Sequence, residues 1–111
     1  MTIDEIIDRN KQAGNSFFDS AQMHQWHSRV SSIVHEGPGG IFFVTSEPQY
    51  DGVRRRSVRR FVPETGAVKT TAWGKYETNA EAQRQAKKFS RDPGLDSDER
   101  SWEHQSPEVS K

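Results

Sequence analysis

The chain has 111 residues, the size of one domain, with 31% apolar and 29% charged residues and no cysteine. That composition excludes a disulfide scaffold and a thiolate metal site, and no apolar run comes near the roughly eighteen residues needed to cross a bilayer. Net charge is zero but unevenly laid out: residues 1–91 hold 14 Lys and Arg against 10 Asp and Glu, and residues 92–111 hold 2 against 6, an acidic tail on a mildly basic body.

The opening MTIDEIIDRN is acidic and mixed, unlike a signal peptide, so a soluble, intracellular protein is expected. Thr2-Ile3-Asp4-Glu5 reads as a capping box. Ile3, Ile6 and Ile7 share one helical face and Gly14 supplies a stop, which predicts a helix over about residues 3–13. Asp19 with Gln22 forms a second capping box, with Phe18 and Met23 spaced as a hydrophobic staple, and predicts a second helix through Trp26.

From Arg29 the chain turns β-branched and serine-rich, which favours a strand to Val34. Glu36-Gly37-Pro38-Gly39-Gly40 reads as a turn. Ile41 to Thr45 is apolar on both parities, the mark of a strand that is central or covered on both sides. Val53 to Val62 predicts a third strand, and Pro63-Glu64-Thr65-Gly66 a hairpin connection with glycine at the positive φ. Ala67 to Trp73 pairs back as a fourth strand. Thr78-Asn79-Ala80-Glu81 opens a last helix, whose Ala82, Ala86 and Phe89 make a narrow stripe able to lie close on a sheet.

Beyond Ser90 the pattern stops. The expected fold is therefore α+β: two N-terminal helices, a four-stranded, mostly antiparallel sheet and one C-terminal helix packed on it. Residues 1–91 form a single domain and 92–111 a disordered acidic tail.

The runs FFDSAQMHQWHSRV, GPGGIFFVTSE, RRSVRRFVPETG and YETNAEAQRQAKK resemble a family of small phage- and plasmid-encoded proteins without an established activity, over about residues 2–89. That resemblance implies an accessory protein in the cytoplasm of a bacterial host. In architecture alone, three strands followed by a helix opening on Thr-x-x-Glu-Ala are similar to the DNA-binding arms of phage integrases, which insert a sheet into a groove of the duplex.

The chemistry concentrates in one strand. Arg54, Arg55, Arg56, Arg59 and Arg60 fall within seven positions, and guanidinium forks match phosphate oxygens. Lys69 and Lys75 on the neighbouring strand join them as candidate nucleic-acid contacts, and Arg84, Lys87, Lys88 and Arg91 on the last helix extend the patch. The bland alternative is a solvated face whose charges discourage edge pairing. By parity Arg54, Arg56 and Arg60 lie with Val58 and Val62, and Arg55 and Arg59 with Phe61. The nucleic-acid reading requires the arginines to jut from one surface without internal counter-ions.

Trp73, Tyr76 and Trp102 are candidate partner contacts, with burial of the first two under the last helix as the alternative. His24 and His27, with His35, are too poorly supported to expect a metal. No phosphate loop, nucleophile elbow or cysteine nucleophile is present, so neither catalysis nor a cofactor is expected. A hydrolase or transferase would need two of Glu36, Glu47, His24 and His27 in one cleft. DNA or RNA binding leads, with a protein–protein inhibitor or modulator of a host complex as the alternative.

Overall fold

A computed structural model describes residues 1–19 and 28–92. Thr2 caps α1 (Ile3–Gln12): its hydroxyl accepts the Glu5 N–H at 3.2 Å, and the Glu5 carboxylate accepts the Thr2 N–H at 3.0 Å. This reciprocal pair satisfies donors that a helix start leaves open. A 3₁₀ turn follows at Phe17–Asp19. The sequence-predicted second helix falls largely on residues 20–27, outside the described residues, and Val30, expected in the strand that follows, is in a strand.

Four strands then run as an antiparallel meander in the order β1-β2-β3-β4. They are β1 (Arg29–Gly37), β2 (Gly40–Pro48), β3 (Arg54–Val62) and β4 (Ala67–Tyr76). The last helix, α2 (Asn79–Arg91), starts at Thr78, whose hydroxyl accepts the Glu81 N–H. Described residues thus show one N-terminal helix where two were expected, and every strand pairing is antiparallel.

Because side chains alternate along a strand, the register sorts them onto two faces. Phe42, Val44, Val58, Ala72 and Tyr76 meet Ala82, Ala86 and Phe89 of α2, and the rings of Phe42 and Phe89 stack at 5.7 Å. The small alanines let the helix lie close. Opposite them, Ile41, Phe43 and Phe61 pack with Ile6 of α1, and Phe17 and Phe18 extend the cover. Burial of each large apolar side chain contributes about 1.5–3 kcal/mol. β2 is apolar on both parities because it is internal and covered from both sides.

Glycines seat both helices. Gly39 N–H donates to Ser90 O at 2.8 Å, and a Cβ on Gly39 would stand 2.0 Å from Phe89 O, so the β1–β2 turn fits against the end of α2 only without a side chain. At the β3–β4 turn Gly66 has φ 72°, and a Cβ there would stand 2.6 Å from the Ala13 Cβ. Buried Asn10 donates to Gly66 O at 2.8 Å, fixing α1 to that turn.

Candidate nucleic-acid interface

The arginine-rich strand does not form one charged surface. Paired residues across β2 and β3 run from Ile41 opposite Phe61 to Pro48 opposite Arg54. This register puts Arg54, Arg56 and Arg60 on the α2 side and Arg55 and Arg59 on the α1 side, beside Thr45 and Glu47. The single-surface condition fails.

Arg59 is no surface residue at all. It is 7% exposed, donates through Nε to Thr45 Oγ1 at 3.0 Å and through Nη1 to Thr70 Oγ1, and lies 3.6 Å from Glu47 Oε2. Its guanidinium sits 5.2 Å from the Phe17 ring centroid. Burial pulls its pKa below the ordinary arginine value, and the Glu47 charge opposes that pull. Glu47, 4% exposed, also accepts from Ser57 Oγ, which in turn accepts the Gly74 N–H at 2.7 Å. The network ties β2, β3 and β4 together, and Arg59 is withdrawn as a nucleic-acid contact.

The remaining strand arginines are also engaged. Arg55 pairs with Asp51 at 2.9 Å, Arg54 donates to Ser46 O and Oγ at 2.9 Å each, and Arg56 donates to Glu77 O. Arg60 and Lys69 stand opposite each other on the α2 side, and Lys75 is exposed. All three have partners of their own.

A different cationic row is open. Arg84, Lys87, Lys88 and Arg91 of α2 are all exposed, and among the described residues their side chains have no hydrogen-bond or ion-pair partner. Their i, i+3, i+4, i+7 spacing confines them to an arc of about 100°, turned away from Ala82, Ala86 and Phe89, over roughly 10 Å of helix. Arg29, exposed and opposite Ser46, adds to the same side of the sheet. The sequence pattern contained this row, but a basic stretch reads as an outward face only once its apolar stripe is known to be covered.

Aromatic exposure is concentrated elsewhere. Tyr50 (91% exposed) and Val53 stand in the β2–β3 connection, and Trp73 (39%) is exposed on β4 beside Gly74, which closes against the Gln49 side chain. Asp51 stiffens the connection: Oδ1 accepts the Val53 N–H at 2.9 Å, and that bond, followed by the Arg55 guanidinium, holds its carboxyl below the ordinary range. Tyr76, a candidate contact by sequence, is instead buried under α2, and Trp102 lies outside the described residues.

The two carboxylates a hydrolase or transferase would need, Glu36 and Glu47, are both on strands. Glu36, on β1, pairs with the Met1 amino group at 2.9 Å, while Glu47 is near the other end of β2. Glu36 stands opposite Ile41, six residues of β2 and about 20 Å from Glu47. His35 Nε2 is 2.8 Å from Gln83 Oε1, joining β1 to α2, and His24 and His27 lie outside the described residues.

Residues 2–87 match the model of a family of unknown function, DUF7447. The chain belongs to that family. The DUF7447 match spans α1, the whole sheet and most of α2, so it covers the buried core apart from Phe89 and ends inside the basic row. No curated protein and no solved structure matches the chain. The groove-inserting sheet implied by the integrase-like resemblance finds no counterpart here: α1 with Phe17 and Phe18 covers one face and α2 the other.

Proposed function

We propose that this protein is a non-enzymatic accessory protein that binds nucleic acid through the outward face of α2 rather than through the arginine-rich strand. One observation carries the reading: Arg84, Lys87, Lys88 and Arg91 share an exposed face and have no acidic partner among the described residues. Four such charges can displace counter-ions from a phosphate backbone. The apolar face of the same helix is buried against the sheet, so α2 has nothing with which to enter a bilayer as an interfacial helix does. Lysine is also depleted from protein–protein interface cores, which disfavours a protein partner for this face. The resemblance to phage- and plasmid-encoded proteins supports an accessory role in a bacterial host.

The test replaces Arg84, Lys87, Lys88 and Arg91 together by Ala and measures binding to nucleic acid at low salt by fluorescence anisotropy. Loss of binding with an unchanged circular dichroism spectrum is the expected result. Unchanged affinity would remove the reading.

A second reading, a protein–protein modulator, has its own support in exposed Tyr50, Val53 and Trp73 at the stiff β2–β3 end. Tyr, Trp and Arg are the residue types that dominate interface hot spots. Under that reading, changing Tyr50 to Ser and Trp73 to Ala abolishes capture of a stoichiometric protein from nuclease-treated host lysate. Retained capture counts against it.

A further inference from the structure

Resting on the nucleic-acid reading of α2, we infer that the ligand is double-stranded and is held by its phosphates without regard to sequence. Single strands are gripped by aromatic platforms on which successive bases stack. Among the described residues, the rings on the α2 side are unavailable: Phe42, Tyr76 and Phe89 are 4%, 5% and 8% exposed and form the core beneath the helix. The exposed aromatics Tyr50 and Trp73 belong to the β2–β3 end of the sheet, whereas the end of α2 rests on the opposite β1–β2 turn through Gly39 and Ser90. Most of the length of β2, roughly 25 Å, lies between those ends.

Sequence reading is likewise poorly provided for. An adenine is recognised by a bidentate Asn or Gln in the major groove. Gln83 of α2 is already engaged: its Nε2 donates to Ser31 Oγ at 3.0 Å and to Asn79 Oδ1 at 3.2 Å, and its Oε1 meets His35 Nε2. Asn79 is its partner, and Gln85 is half-buried. What α2 turns outward from Arg84 to Arg91 is cationic, and phosphate contacts fix position without specifying bases. Glu81, in the first turn, shifts the contact to the C-terminal half of the helix. A rigid row about 10 Å long suits the closely spaced charges of a duplex, one per roughly 1.7 Å of axis.

The full-length protein is titrated by anisotropy with a 20-base-pair DNA duplex, the same duplex with scrambled sequence, and one of its strands alone. The duplexes should bind equally and the single strand more weakly. Four phosphate contacts give a log–log salt slope of about −3.6, or a roughly 150-fold loss of affinity between 50 and 200 mM salt. Changing Arg84 and Lys88 to Ala should halve the slope, leaving a loss of about 10-fold over the same range. A single strand bound as tightly as the duplex, or discrimination between the two duplexes, overturns this inference and leaves the nucleic-acid reading standing. Binding to none of the three at 50 mM salt removes both.

Discussion

Arg59 and Arg84 carry the same guanidinium, yet one lies among Thr45, Thr70 and Glu47 and the other meets solvent. Their replacement should therefore read out differently. Arg59→Ala leaves Glu47 charged and buried, and removing one partner of a buried pair costs about 3–5 kcal/mol. Arg84→Ala removes no hydrogen bond or ion pair among the described residues and should stay within about 0.5 kcal/mol of wild type. Urea unfolding measures both. An Arg59→Ala protein as stable as wild type would show that the Glu47 network does not hold the sheet. A combined Arg55 and Arg59 replacement, the natural probe of an arginine-rich strand, would report on folding instead of binding.

Elements were legible in the sequence where local chemistry decides them. Thr2 with Glu5, Thr78 with Glu81 and the Pro63–Gly66 turn each act within a few residues, and each stands where its pattern indicated. Ala82, Ala86 and Phe89 likewise announced a helix lying on a sheet. The fate of the arginines was not legible, because it depends on which residue stands across a strand boundary. Parity divided the five into two sets, but nothing in a linear sequence says that Thr45, Glu47 and Thr70 would surround one of them. Gly37-Pro38-Gly39-Gly40 reads as a turn, but nothing in it announces the seat of α2. That role has its own consequence. With a Cβ on Gly39 set 2.0 Å from Phe89 O, Gly39→Ala must lift the end of the helix. We expect a loss of about 1–3 kcal/mol, the usual range for overpacking, with faster amide exchange in the last turn of α2. Unchanged exchange there would mean that the turn and helix are not in close register.

Zero net charge conceals a molecule with two sides: α2 turns outward four cations that have no partner among the described residues, while the sheet's opposite face buries its Glu47–Arg59 pair. Acid should separate the parts. Glu5 is held below the ordinary carboxylate range by the Thr2 N–H first, and Asp51 by the Val53 N–H first and Arg55 second. A folded-state pKa below the unfolded value gives stability that is present above the unfolded value, near 4, and lost as pH falls through the folded one. The start of α1 and the β2–β3 connection should therefore loosen below about pH 4 and be insensitive above about pH 5. α2 is capped by a hydroxyl, Thr78, and seated by backbone at Gly39, so no carboxylate fixes it in either place, and where His35 Nε2 meets it the partner is the amide oxygen of Gln83. Duplex affinity measured at fixed ionic strength should consequently hold level from pH 7.5 to pH 5. A tenfold fall across that interval, where neither the Glu5 nor the Asp51 carboxylate changes state, would count against the outward face of α2 as the contact.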